Sequence, residues 1–510
     1  MIRTNIRTYE LFESAKQKFK EKDYELSLKY FNLCKKDKNF YDSALFEIIK
    51  IYFELKQYKK VLSCSKICLK KSKDKNIKDN IKIFLAKTYK FLNKINCAIK
   101  VLDSIETSNI KKTNEFYNER LDCSYSKFND FFKVSEFSGN IKVLKKEFIK
   151  IKNLVPQNKS QLFFISRISN YFNNYNFTKK LIEKYQQNFN NTDKFYDNAI
   201  LNEYEIAGKK SMLNSKPRSI WVAASSKCNI SCQMCKANET NWSLTEKDVK
   251  DIYSYMPYLE HITWWGGEPT ISNLFYEMLE YSLQYKNIQH TVITNGQYFP
   301  KKFLDIVSKN NIEVIVSIDS ADKVMYETIR QGASFDKLRE NLSALSNVLN
   351  TDLIKINIVV MKQNLKDINN IINFAKEFNI TKFTFIPMGS KDLVDDMIKN
   401  YDRIMLNGSI NKSSGLKIFD STGIINKKSN GKKNCKGFCH IPWTDITFSY
   451  SGSLICDNLC FHFGNEYYLL NGQNMNKYWN SEILKNLRIK ILKNKSCSLT
   501  CPKAGNIKLK

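Results

Sequence analysis

Glycine and proline are nearly missing from the first 218 residues, which hold two of each: Gly139, Gly208, Pro156 and Pro217. So few breakers over such a length exclude a turn-rich β fold and point to helices. No apolar run approaches membrane-spanning length. The start, Met1-Ile-Arg-Thr-Asn-Ile-Arg-Thr-Tyr-Glu10, lacks the apolar core of a secretory signal. A cytoplasmic protein with no membrane partner is expected. Arginine is also scarce, at nine of 81 basic residues. Readers of base edges and phosphates favour Arg. The net charge of +30 therefore does not make nucleic acid the favoured partner. The excess lies mainly in residues 1–218, with 45 Lys/Arg against 24 Asp/Glu; the remainder has 36 against 27.

With 510 residues, 43% of them hydrophobic, the chain can bury cores in about three domains. Fourteen Cys in a reducing compartment are metal ligands or plain thiols before they are disulfides. Five of them, Cys34, Cys64, Cys68, Cys97 and Cys123, are spread through helical sequence and read as packing residues. The other nine lie after residue 227.

The N-terminal part repeats itself. Phe19-Lys-Glu-Lys-Asp-Tyr24 recurs as Phe53-Glu-Leu-Lys-Gln-Tyr58, a spacing of 34, and more weakly as Phe91-Leu-Asn-Lys-Ile-Asn96. Tyr171-Phe-Asn-Asn-Tyr-Asn176 echoes the same turn. A period of 34 with an aromatic at the turn resembles the tetratricopeptide repeat, whose helical hairpins stack into a curved, partner-binding array.

From 219 the rhythm changes. Strand-like runs at 219–225, 262–265, 291–294, 314–318, 356–360 and 383–386 alternate with helical patterns at 245–256, 272–285, 300–309, 335–348 and 366–378. Such alternation argues for a parallel βα series with its site at the C-terminal strand ends. After the first run come Cys228, Cys232 and Cys235, at C-x3-C-x2-C. Three thiolates on one loop can converge on one metal object and leave an iron of a cubane open. Zinc is the alternative, but no fourth Cys or His stands near the loop. The second run ends in Gly266-Gly267-Glu268-Pro269, where two glycines expose backbone to close approach.

Together the cysteine loop, the Gly-Gly-Glu-Pro motif and the strand series resemble the radical S-adenosylmethionine (SAM) enzymes over about residues 219–390. The resemblance implies an α/β partial (β/α)6 TIM-type barrel. Cys228, Cys232 and Cys235 would hold a [4Fe–4S] cluster whose open iron chelates SAM. Met234 would lie near the adenine. Gly266, Gly267 and Glu268 would meet the methionyl amino group, and Ser317 and Arg330 would contact ribose or carboxylate. Reductive cleavage of SAM would give a 5′-deoxyadenosyl radical. The electron would come from a reductant such as flavodoxin or ferredoxin.

A second cysteine zone follows: Cys435, Cys439, Cys456, Cys460, Cys497 and Cys501. With Phe463-Gly464-Asn465 and Trp479-Asn480-Ser481 it resembles the SPASM/twitch extension of these enzymes. Cys439, Cys456, Cys497 and Cys501 would ligate one auxiliary [4Fe–4S] cluster, with Cys435 and Cys460 spare. Zinc is again the alternative for four thiolates. The expected organisation is a helical-repeat domain (1–206), a linker (207–218), the barrel (219–390), a connection (391–434) and a small Cys-rich cluster domain (435–510). The expected function is oxidation or cross-linking of a peptide or protein, captured by the repeats. A sugar-derived metabolite, an RNA, or a non-catalytic scaffold role are the alternatives. No substrate-facing catalytic residue can be chosen from sequence.

Overall fold

The computed structural model describes residues 2–105, 113–128, 141–235, 237, 241–387, 417–420, 440–449, 452–454 and 478–494. The chain divides into two compact units, Met1–Ile165 and Ser166–Lys510.

The first unit is helical: α1 (Ile2–Lys20), α2 (Tyr24–Cys34), α3 (Tyr41–Glu54), α4 (Tyr58–Lys71), α5 (Lys75–Phe91), α6 (Ile95–Asp103), α7 (Asn114–Phe128) and α8 (Ile141–Ile151). Helix α9 (Lys159–Tyr171) runs through the boundary. Each repeated hexapeptide is a hairpin turn of one geometry. Lys22, Lys56 and Asn93 take left-handed φ of 62°, 55° and 56°, and Asn173 takes 63° in the fourth turn. The backbone after each bonds back across the helix end, as in Asp23 N to Lys18 O and Gln57 N to Tyr52 O. This closure satisfies carbonyls that a helix end leaves orphaned. The flanking aromatics meet equivalently, Phe19 with Tyr24 at 5.8 Å and Phe53 with Tyr58 at 5.9 Å. Phe31, Ala44, Ile48, Val61 and Leu102 fill the layers between. Cys34, Cys68 and Cys123 are buried there, and burial pushes the Cys68 and Cys123 thiols up to about 12.

The second unit opens with α10 (Tyr175–Tyr185) and α11 (Lys194–Ala207), then alternates strand and helix. Its strands are β1 (Ser219–Ala223), β2 (Ser231–Cys232), β3 (His261–Trp265), β4 (Gln289–Thr294), β5 (Glu313–Ser317), β6 (Arg330–Gln331), β7 (Ile354–Val360), β8 (Lys382–Pro387), β9 (Lys417–Asp420), β10 (Asp445–Ser449) and β11 (Gly452–Leu454). The helices between are α12 (Glu246–Tyr255), α13 (Asn273–Ser282), α14 (Lys301–Asn310), α15 (Lys323–Ile329), α16 (Phe335–Val348) and α17 (Ile368–Lys376). Two more, α18 (Ile441–Thr444) and α19 (Glu482–Asn494), come late in the chain.

One sheet runs β11-β10-β1-β3-β4-β5-β7-β8-β9. Every neighbouring pair is parallel except β10–β11. The expected six-strand series forms the middle of this partial barrel. Residues 445–454 extend its β1 edge and residues 417–420 its β8 edge. Alternate residues Ile220, Val222, Ile262, Trp264, Val314, Val316, Ile356 and Ile358 pack into the core under the helices. That alternation turns Trp221, Thr263, Thr291, Glu313 and Asn357 to the opposite, inner face. On it His261 Nε2 meets Thr291 Oγ1 at 3.0 Å, and Thr291 Oγ1 donates to Glu313 at 3.1 Å.

The stretch 207–218, polar and breaker-containing, is held rather than loose. Its carbonyls accept from the chain's far end: Lys210 O from Trp443 Nε1, Ser211 O from Arg488, Leu213 O from Asn480, and Ser215 O from Trp479 Nε1. Arg488 is fully buried, donates also to Pro442 O and Trp479 O, and lies 4.6 Å over the Trp479 ring. Burial lowers its guanidinium to about 10.

Candidate active site

The cysteine loop leaves β1 and is seated at both ends. At its start, Gly267 N donates to Ser225 O at 3.0 Å, and Glu268 N to Lys227 O at 2.8 Å. The approach is so close that a Cβ on Gly267 would stand 1.9 Å from Lys227 O. Gly266 takes φ +122°, and its Cβ would stand 2.7 Å from Ser225 O. The glycine pair thus makes room for the backbone that carries Cys228. At the other end β2 pairs antiparallel with β6, in register Cys232 with Arg330, and Gln233 N donates to Ile329 O at 2.9 Å.

Cys228 and Cys232 are half-buried and Cys235 is exposed. Burial pushes the Cys228 thiol up and the Cys232 thiol up to about 11, and Cys235 reinforces both. Two amide and guanidinium donors oppose this. Asn295, just past β4, donates from Nδ2 to Cys228 Sγ at 3.6 Å and to Asn229 Oδ1 at 2.8 Å. Arg330 donates from Nη1 to Cys232 Sγ at 3.7 Å, and its Nη2 lies 2.7 Å from Asp319 Oδ2. Asp319 is fully buried and accepts from Val359 N through Oδ1. Burial raises the Asp319 carboxyl and Arg330 opposes it. Burial disfavours the Arg330 charge, yet Asp319 holds it above its ordinary value.

Glu268 is buried, and the protein itself supplies its donors. Oε1 accepts from Thr270 N, Thr270 Oγ1 and Thr294 Oγ1, and Oε2 from Asn295 N at 2.7 Å. Burial raises its carboxyl and these donors oppose the rise. Its side chain ties the end of β3 to the end of β4. Ser317 is half-buried at the end of β5, and Met234 half-buried in the turn after β2. Asn364, which follows β7, is a closed cap: it donates to Asp319 O and Val359 O and accepts from Met361 N. Beside the loop a cleft of about 780 Å³ is lined by Asn229, Thr270, Tyr276, Gln297, Tyr298 and Lys302. Cys435, Cys439, Cys456, Cys460, Cys497 and Cys501 lie outside the described residues.

The donor set fits a sulfur-ligated cluster. Three soft thiols share one loop, and two of them receive N–H donors. Among the described residues no three His, Cys, Asp or Glu side chains are gathered closely enough to hold a single metal ion. The pairing of Asp319 with Arg330 and the reach of Asn295 to a sulfur are not visible in the sequence. The available signal was their position, at the ends of β4 and β5 and on the segment paired with β2.

Residues 222–375 match the family model described as the Radical SAM superfamily. This match spans the chain from β1 to α17 and supports an enzyme. The mycofactocin maturase MftC of Mycolicibacterium smegmatis is 26% identical over 160 residues, covering 30% of this chain and 40% of the relative. The radical SAM cyclopropyl synthase TigE of Paramaledivibacter caminithermalis is 24% identical over 280 residues, covering 46% and 58%. The chain thus spans less than two thirds of the length of these curated relatives. Streptococcus suis SuiB bound to precursor peptide SuiA aligns with 67% of this chain and 92% of its own, at 16% identity and a TM-score of 0.45.

Proposed function

We propose that the chain is a radical SAM enzyme that oxidises or cross-links a peptide or protein substrate. Cys228, Cys232 and Cys235 would hold a [4Fe–4S] cluster that binds SAM at its open iron. The observation that carries this reading is the doubly seated cysteine loop, with Gly267 under Lys227 and Cys232 paired to Arg330. With cluster and SAM bound, the site supplies one-electron cleavage of SAM and a radical for hydrogen abstraction. The chain's own residues fix the geometry. Gly266 and Gly267 seat the loop, Glu268 locks β3 to β4, and Asn295 and Arg330 hold two thiols in orientation. The inner face of the sheet carries half-buried Trp221 and Trp265, ring centroids 6.3 Å apart, and buried Thr263 and Thr291.

A peptide substrate is supported by the maturase among the relatives and by the tetratricopeptide-like hairpins, which suit capture of an extended partner. Cys439, Cys456, Cys497 and Cys501 would carry the auxiliary cluster. The test is anaerobic reconstitution with iron and sulfide, reduction, and assay of SAM for 5′-deoxyadenosine. Cleavage lost in Cys228→Ala, Cys232→Ala and Cys235→Ala but kept in Cys497→Ala is the expected result. Cleavage unaffected by the loop variants would overturn the assignment.

A further inference from the structure

Arg330 and Asp319 form a buried ion pair against one of the three loop thiols. Arg330 is 5% exposed and Asp319 fully buried. Burying such a pair is weak evidence for stability, because desolvation offsets the attraction. A hydrophobic pair would pack the same space. The arrangement is also doubly anchored on Cys232: the backbone of Arg330 pairs with that of Cys232, while its guanidinium reaches the sulfur at 3.7 Å. The carboxylate sits behind the guanidinium, 2.7 Å from Nη2, and is itself held by Val359 N. A second donor, Asn295 Nδ2, reaches Cys228 Sγ from the end of the neighbouring strand.

We propose that Arg330, Asp319 and Asn295 are positioning residues that set the reduction potential of the loop cluster. This rests on the cluster assignment made above. The potential of an iron–sulfur cluster follows the net charge around it and the hydrogen bonds to its sulfurs. Reduction adds one electron, supplied by an external low-potential donor. A guanidinium at Cys232 Sγ favours the electron-rich state and raises the potential. The Asp319 carboxylate partly cancels that charge and lowers it. Asn295, a neutral donor, raises it more weakly. Arg330 and Asn295 thus act with one sign and Asp319 with the other, which a merely structural role would not produce.

The experiment is an EPR-monitored redox titration of the reconstituted full chain without SAM, with dithionite as reductant and iron and sulfide counted in each sample. Asp319→Asn keeps the acceptor for Val359 N and removes the charge. It should favour reduction about tenfold, or 59 mV for a one-electron couple. Arg330→Gln should disfavour reduction by at least that factor, and Asn295→Ala by less. Should Arg330→Gln fail to load, Asp319→Asn decides alone, by its upward shift. Potentials that stay at the wild-type value, or that shift the same way in both charge variants, would overturn the proposal. Weaker SAM binding at unchanged potential would likewise overturn it, and make Arg330 a SAM contact only. A wild-type chain that binds no cluster would instead refute the underlying assignment.

Discussion

Replacing Gly267 by Ala gives the sharpest test of how the cysteine loop is held. The added Cβ would stand 1.9 Å from Lys227 O and 2.5 Å from Ser226 O, both backbone atoms. Ordinary contact begins at 3.4 Å, so the segment must retreat by about 1.5 Å. That breaks the bonds from Gly267 N to Ser225 O and from Glu268 N to Lys227 O. Two backbone bonds at about 1 kcal/mol each, with about 1–3 kcal/mol for overpacking, make about 3–5 kcal/mol against the seated loop. At about 1.4 kcal/mol per tenfold, the seated conformation falls at least about 100-fold. Cys228 follows Lys227 directly, so the cluster should be lost. The assay is iron and sulfide per chain after reconstitution and desalting, beside thermal melting of the metal-free protein. Gly332→Ala is the control: its φ is +84°, but its nearest neighbour is 3.8 Å away. It should cost about 1–2 kcal/mol of backbone strain and keep its iron. Wild-type iron content in Gly267→Ala would show that the Gly267–Lys227 approach does not hold the loop.

Other variants probe the frame around the loop. Glu268→Gln turns an amide NH2 toward donors now accepted by the carboxylate and should cost about 2–4 kcal/mol in urea unfolding; an unchanged midpoint would contradict its role as a strand tie. His290 accepts from Trp264 Nε1 at 3.3 Å, and burial lowers its imidazole to about 3. Its folded value lies below the ordinary 6.5, so its contribution is present above pH 6.5 and is lost as pH falls toward 3. The loss is about 2 kcal/mol by pH 5, and His290→Phe should flatten that limb of the urea stability curve. Arg488→Ala removes donors to three carbonyls and a ring contact, and should cost about 3–5 kcal/mol, with Arg488→Lys in between. Lys22→Gly and Lys56→Gly relieve left-handed φ at the hairpin turns and should each stabilise by about 0.5–1 kcal/mol, read as a raised melting temperature.

The sheet order was largely legible because local chemistry and tertiary demand agree there. The run expected at 291–294 is Gln289–Thr294, and that at 383–386 is Lys382–Pro387. The four hairpin turns were visible as repeated hexapeptides, though not that each holds a Lys or Asn at positive φ. What escaped depends on distant pairing. Residues 445–449 join β1 across more than 200 positions, and no spacing rule marks that partner. The stretch 207–218 read as a linker because its residues are polar. It is fixed by Trp443, Trp479 and Arg488, whose roles appear only once the chain end returns to it. At the site, the three loop thiols and the glycine pair were found as residues. The close approach of Gly267 to Lys227 and of Gly266 to Ser225, and the Asp319–Arg330 pair, were not, since close backbone approach and ion pairing are properties of three-dimensional placement.

The cysteine loop is proposed to hold a cluster on which SAM is cleaved. The most direct measurement is 5′-deoxyadenosine released per chain by the anaerobically reconstituted, dithionite-reduced protein, with the Cys228→Ala, Cys232→Ala and Cys235→Ala variants run alongside. SAM-dependent product is expected from the wild-type chain and none from any of the three. No product from a wild-type chain carrying its full iron and sulfide, or equal product from the variants, would contradict it.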